Sequence, residues 1–272
     1  GRGFRRNSCR VLRQLGSAGT RHSRQPRQFS KPTAIAALPD GRAVVCNLGS
    51  RCLTVVRLRD GATLLSIPVD GVPAGVACLP GRSDAVVVAV QGQAESGESI
   101  SGVVNPTHRI EIHSLADAAA QGGGTLLWSE AGRAGLEYPN GLAFNLAGHL
   151  IATDWNNHRI AELRLPPPFG DAGAEHADSL LWALLANGEG RPSDVVLLPG
   201  LSPGVCAAAG HEEVLAVADY YSQAVRLYVY VRSLAYTGYL RCGRVGSKAR
   251  RPNQDANNGV KGSLERPSSL AV

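Results

Sequence analysis

Tyr138-Pro139-Asn140-Gly141-Leu142-Ala143-Phe144, followed by Gly148-His149-Leu150-Ile151-Ala152-Thr153-Asp154-Trp155-Asn156-Asn157-His158-Arg159-Ile160, sets the pattern for the whole 272-residue chain. A proline-led turn opens a short apolar strand of small residues. A glycine turn leads to a second apolar strand ending in Asp, and a polar turn starts a third. The same order recurs three more times in degraded form. Recurrence at intervals of tens of residues is the signature of stacked repeats.

The first copy opens at Pro32, with strands Ala34-Ile35-Ala36-Ala37 and Ala43-Val44-Val45-Cys46, a turn from Asn47 to Ser50, and Leu53-Thr54-Val55-Val56. The second opens at Pro73, gives Gly75-Val76-Ala77 and Ala85 to Val90, carries an insertion, and resumes at His108-Arg109-Ile110-Glu111-Ile112. The fourth opens at Pro192 and runs through Val195-Val196-Leu197 and Val214 to Ala218, then Asp219 and Ala224-Val225-Arg226-Leu227-Tyr228. A fifth begins at Pro267 with Ser269 to Val272. Candidate fourth strands follow at Thr63-Leu64-Leu65, Thr125 to Trp128, Ser179 to Trp182 and Tyr239-Leu240.

Four short strands bounded by Gly, Pro, Asn and Asp make a meander rather than a strand–helix–strand unit. Such a sheet has two apolar faces, and stacking the units face to face around an axis buries both. The expectation is therefore an all-β chain, a β-propeller of about four complete four-stranded antiparallel blades with partial blades at both ends. Ala and Gly in the first strands suit strands that converge where space is short. Helix is expected nowhere except a turn around Leu115 to Ala120.

These residues resemble the NHL repeat, most specifically from Tyr138 to Ile160, where Asn157-His158-Arg159-Ile160 follows Ala152-Thr153-Asp154. The glycine-rich connections Leu15 to Pro32 and Val245 to Pro267 are similar to the family's linkers. The resemblance implies one propeller domain over 1–272, with blades at 28–68, 69–130, 131–186 and 187–242. On that division 1–27 is a preceding outer strand (Cys9 to Leu12) with its linker, and 243–272 a linker plus the start of the next blade. The chain is then expected to be a window of a longer propeller, poorly soluble or oligomeric by itself. The repeat-motif residues carried by the resemblance are Asp154, Asn157, His158, Arg159, Asp219, Asn47, His108 and Arg109. Asn47 and Gln91 stand where the repeat has Asp, and Cys52 and Ala224 where it has Arg. The Asp is expected to cap its turn through backbone N–H groups, with the Arg packed or paired beside it; catalysis or metal binding is the alternative.

Charge is segregated. Residues 1–27 hold eight Arg and no acid, and residues 241–266 carry +5, so with an overall +6 the residues between carry −7. The basic ends offer RNA binding as one reading and solvated inter-repeat linkers as the preferred one. The Arg-rich start also admits a transit-peptide remnant. Localisation is left unassigned, with cytoplasm favoured and an organelle the alternative. No Met occurs, even at position 1, so the natural protein is expected to begin upstream. No apolar run approaches the ~18 residues of a spanning helix.

The six cysteines form no C-x-x-C pair, and the preferred reading is reduced, packed thiols, including Cys46 and Cys52 across one hairpin turn. His108 and His158 are accounted for by the repeat. His149 and His211 form no ligand pair, Gly122-Gly123-Gly124 lacks a phosphate-loop ending, and Pro166-Pro167-Pro168 reads as a stiff loop. No catalytic or metal residue and no cofactor are assigned. The expected role is a non-catalytic scaffold or recognition module for a protein partner, such as the recruiting end of a ubiquitin ligase. Its contacts are expected in the loops Gly92 to Asn105 and Pro166 to Ala177. The alternatives are a lyase or hydrolase with a metal-assisted site in the axial channel, and an RNA-binding propeller.

Overall fold

A computed structural model describes residues 17–18, 28–92, 108–116, 124–130, 135–170, 190–199, 213–232 and 237–245. Every regular element among them is a strand, and there is no helix. Strands β3 (Pro32–Ala37), β4 (Arg42–Asn47), β5 (Cys52–Arg57) and β6 (Ala62–Pro68) form the first antiparallel sheet, in chain order. The second joins β7 (Val72–Cys78), β8 (Ala85–Gln91), β9 (Arg109–Ser114) and β10 (Leu126–Ser129). The third holds β11 (Pro139–Phe144), β12 (Leu150–Asp154) and β13 (Arg159–Leu163), and the fourth β14 (Pro192–Pro199), β15 (Glu213–Asp219), β16 (Ala224–Arg232) and β17 (Thr237–Val245). Ahead of them, β1 (Ser17–Ala18) pairs in parallel with β2 (Gln28–Phe29).

The sheets are propeller blades, stacked face to face with their first strands adjacent: β3 against β7, β7 against β11, β11 against β14. Strand alternation does the stacking. Val86, Val88 and Val90 of β8 face the first sheet and join Val44, Cys46, Leu53, Val55 and Ile67 in one cluster. Ala85, Val87 and Ala89 face the third sheet and pack with Leu150, Ala152, Ala161 and Leu163. Ile151 and Ile160 then meet Val195, Leu215, Val217 and Tyr228 of the fourth. A fully buried Val, Leu or Ile contributes roughly 1.5–3 kcal/mol, so the inter-blade clusters dominate stability.

The first strands crowd as their Ala and Gly content implies. A Cβ on Gly75 would lie 1.7 Å from the Asn140 carbonyl oxygen, and one on Gly141 would lie 2.5 Å from the Asp194 Cα. Thr33 Oγ1 donates to the Pro73 carbonyl at 3.3 Å, linking β3 to β7. A register shift follows each opening proline, between Pro32 and Ala34, Pro73 and Gly75, Pro139 and Leu142, and Pro192 and Asp194. Proline has no N–H for the ladder, which suits this place in the strand.

Leu115 and Ala116 are not helical. The rest of that stretch, Cys9 to Leu12, Ser179 to Trp182, Pro267 to Val272 and most of both long loops lie outside the described residues. Cys46 and Cys52 are free thiols on opposite faces of the sheet: Cys46 packs in the cluster between the first two blades, while Cys52 Sγ lies 3.2 Å from Ser50 Oγ.

Candidate functional site

Asp154 ends β12 opposite Pro139 on one side and Arg159 on the other. Its carboxylate is fully buried. It accepts the Glu137 N–H at 2.7 Å, Asn157 Nδ2 at 2.8 Å and Arg159 Nε at 2.7 Å. Arg159 also donates to the Gly135 carbonyl at 2.9 Å, as does Asn157 at 3.0 Å. Burial raises the Asp154 pKa above its ordinary value, and these donors only partly offset it.

Asp219 ends β15 in the same way, opposite Pro192 and Ala224. It accepts the Arg191 N–H at 3.2 Å, the Ser222 N–H at 3.1 Å and Arg226 Nε at 2.6 Å. Arg226 pairs with Val217, two residues further along the same face. The guanidinium that Ala224 lacks is thus supplied from Arg226, which reading strict motif positions overlooked. The period of two along a strand was the signal that could have found it. The first blade repeats this offset without charge. Asn47 faces Pro32 and Cys52, accepts the Ser30 N–H at 3.2 Å, and donates to Thr54 Oγ1 at 2.7 Å.

In the second blade the register corrects the sequence alignment. Val90, not Gln91, lies opposite both Pro73 and Arg109. Val90 therefore occupies the Asp position and packs in the apolar cluster. Arg109 turns to Glu111 Oε1 at 2.7 Å and to the Asp70 carbonyl. Glu111 is buried and also bonds His113 Nε2 at 2.7 Å. Burial pushes its pKa up, but His113 and Arg109 together bring it below the ordinary value.

The two motif histidines each touch the lead-in of the following blade. His158 Nδ1 donates to the Gly190 carbonyl at 2.5 Å. His108 accepts the Gly92 N–H at 3.0 Å and stacks against Tyr138, with ring centroids 4.5 Å apart. Burial lowers the His108 pKa, against the pull of Glu137. His149, away from the motif, bonds Glu162 at 2.6 Å beside Asn145, and Glu213 nearby accepts the Leu146 N–H at 2.9 Å. Among the described residues no set of three His, Cys, Asp or Glu side chains is placed to hold a metal ion.

Between the first strands lies a cavity of about 1020 Å³, lined from all four sheets. Its wall is mainly apolar, with the small Ala36, Ala74, Gly75 and Ala143 beside the larger Ile35 and Phe144. Asp194 is the one carboxylate in the described lining, which includes no His, Lys or Arg. Asp194 Oδ1 accepts the Val195 N–H at 2.9 Å. The lining thiol, Cys78, donates to the Ala37 carbonyl at 2.9 Å, and burial raises its pKa.

No protein-family model matches the sequence, and no curated protein sequence matches it. Solved structures share the fold. One is a "putative 6-phosphogluconolactonase" from Bacteroides uniformis, similar at 16% identity and a TM-score of 0.51 over 85% of this chain and 58% of that one. Another is a functionally unknown protein from Desulfotomaculum acetoxidans, at 11% identity and a TM-score of 0.53 over 89% of this chain and 60% of that one. The chain thus spans well under two thirds of either. At these identities the likeness concerns the fold alone.

Proposed function

We propose that this chain is an NHL-type propeller that serves as a recognition module for a protein partner, with blades at 28–68, 69–130, 131–186 and 187–242. The observation that carries the reading is the axial wall, where mainly apolar side chains surround a single carboxylate that is already bonded to backbone. A hydrolase or lyase needs a general acid or base, a nucleophile or a metal near the reacting atoms. The buried His–Glu pairs sit in the sheets, away from that wall. On this reading Asn47, Asp154, Asn157, Arg159, Asp219 and Arg109 brace each blade to the segment leading into it, and His108 and His158 brace theirs to the lead-in of the following blade. Their side chains are occupied by such bonds, which supports a structural role.

The test sets binding against turnover. A random displayed-peptide library is panned on the chain, and sugar-lactone opening, suggested by the Bacteroides neighbour, is measured for wild type and Asp194→Asn. Enrichment of specific peptides without Asp194-dependent turnover is expected. Lactone opening that disappears in Asp194→Asn would overturn the proposal.

A further inference from the structure

Four side chains from three separate segments meet on the edge of the third and fourth blades that carries their second-to-third strand turns. Trp155 follows Asp154, Tyr220 and Tyr221 follow Asp219, and Arg191 precedes Pro192. The Trp155 and Tyr220 ring centroids are 5.2 Å apart, and those of Tyr220 and Tyr221 6.1 Å. The Arg191 guanidinium lies 5.7 Å from the Trp155 ring centre and 5.0 Å from that of Tyr221. Tyr221 is 54% exposed, and the other three are half-buried.

The blade itself does not require these side chains. Its recurring element is a backbone bond from the residue after the Asp or Asn to the carbonyl just before the proline. That bond runs from Leu48 to Lys31, from Trp155 to Tyr138 and from Tyr220 to Arg191. The first blade makes it with Leu48 and Lys31, so the third and fourth blades are free to carry Trp, Tyr and Arg there. The polar ends of Arg191, Trp155 and Tyr221 are also uncommitted. Among the described residues no carboxylate pairs with the Arg191 guanidinium, and neither the Trp155 indole N–H nor the Tyr221 hydroxyl has a hydrogen-bond partner. The neighbouring arginines differ, since Arg159 and Arg226 are held by Asp154 and Asp219.

We infer that the Trp155–Arg191–Tyr220–Tyr221 patch is the docking site for a protein segment that presents a carboxylate next to an aromatic or aliphatic side chain. The inference deepens the recognition reading above and rests on it. Arg191 supplies charge-assisted donors to the carboxylate, the indole and phenol groups add two neutral donors, and the ring faces cover the adjacent apolar group. Tyr, Trp and Arg are also the residues that dominate binding hot spots. One uncommitted cation suits one carboxylate. A nucleic-acid strand needs a row of cations along its phosphates, and residues between the two basic ends carry −7.

The experiment uses the full chain. Peptides enriched from a random displayed library are synthesised and their affinities measured by fluorescence polarisation. The targets are wild type, Arg191→Ala, Arg191→Glu, Trp155→Ala and Tyr221→Ala, with a uridine 12-mer as the nucleic-acid probe. Far-UV circular dichroism and urea midpoints establish that each variant is folded. Enriched peptides are expected to carry Asp or Glu beside an apolar residue. Their affinity should fall roughly tenfold or more in Arg191→Ala and Trp155→Ala, and Arg191→Glu should select Lys- or Arg-bearing peptides instead. Peptide binding unchanged by folded Arg191 and Trp155 variants overturns the site while leaving the recognition reading in place. Arg191-dependent binding of the uridine 12-mer without peptide binding overturns the occupant. No enrichment of any peptide overturns both.

Discussion

Replacing Asp154 with alanine removes the acceptor of three donors at once. The carboxylate is fully buried, with the Glu137 N–H, Asn157 Nδ2 and Arg159 Nε within 2.8 Å of its oxygens. Hydrogen bonds to a charged group are worth roughly 1.5–3 kcal/mol each, and removing one partner of a buried pair costs about 3–5 kcal/mol. Two effects reduce that figure. The carboxylate no longer has to be desolvated, which is the largest influence on its pKa. The Arg159 side chain keeps 20% exposure and its bond to the Gly135 carbonyl. The expected loss is therefore about 2–4 kcal/mol. Asp154→Asn, which keeps an acceptor oxygen, should lose less.

Urea unfolding followed by far-UV circular dichroism measures this, read as a midpoint shift at constant slope. The double variant Asp154→Ala/Arg159→Ala should lose less than the sum of the single variants, with a coupling of about 1 kcal/mol or more. The pH dependence has a definite sign. The Asp154 pKa is raised above the ordinary 3.8. The proton-linked part of its contribution is therefore fully present below 3.8 and is lost as pH rises through the folded value, while the bonds to Glu137, Asn157 and Arg159 remain. The advantage of wild type over Asp154→Asn should widen as pH is lowered through the carboxylate range. An Asp154→Ala chain within about 0.5 kcal/mol of wild type, or strict additivity in the double variant, would refute the bracing account.

The Asp60 carboxyl should titrate at about 2, because the Arg57 side chain and then the Ala62 N–H hold it charged. Its contribution is present above 3.8 and lost as pH falls through 2. Carboxyl NMR follows this titration, and a midpoint near 4 that Arg57→Ala leaves unmoved would refute it. Gly75→Ala should destabilise by about 3 kcal/mol or more, since the new Cβ meets backbone 1.7 Å away rather than a side chain that can turn aside. A neutral effect on the urea midpoint would mean that β7 and β11 are not packed so closely. Burial raises the Cys46 thiol far above its ordinary range, as does the neighbouring Cys52. Mass-mapped alkylation at pH 8 should leave Cys46 unmodified in the folded chain and label it in denaturant, and rapid native labelling would refute the packing.

Strand order was legible because each blade writes its apolar strands between prolines and glycines, and those residues fix the turns. The Ala- and Gly-rich first strands also predicted crowding, as Gly75 and Gly141 bear out. Registers were less legible. Val90 and Gln91 adjoin at the end of one valine-rich strand, and only pairing with Pro73 and Arg109 shows which takes the Asp position. Arg226 was hidden because motif matching counts residues from the Asp, whereas a sheet delivers side chains by face, two residues at a time. The aromatic patch was hidden for a third reason. Trp155, Tyr220 and Arg191 are distant in the chain, and only the stacking of two blades brings them together.

Comparing the four turns separates what the repeat needs from what it leaves open. The Asp is not constant: the first blade uses Asn47 and the second an apolar Val90. The arginine is not fixed in place either, since Arg159 and Arg226 reach equivalent carboxylates from registers two residues apart. What persists is a tie between the blade and its lead-in, made by Asn47 to Ser30, Arg109 to Asp70, Asp154 to Glu137 and Asp219 to Arg191. A tie that different side chains can make constrains the backbone and lets the type of residue beside it vary. Leu48, Gln91, Trp155 and Tyr220 occupy that neighbouring place. Its variation is therefore where this chain can carry specificity without cost to the fold, and it turns aromatic on the two blades that hold Arg191 between them.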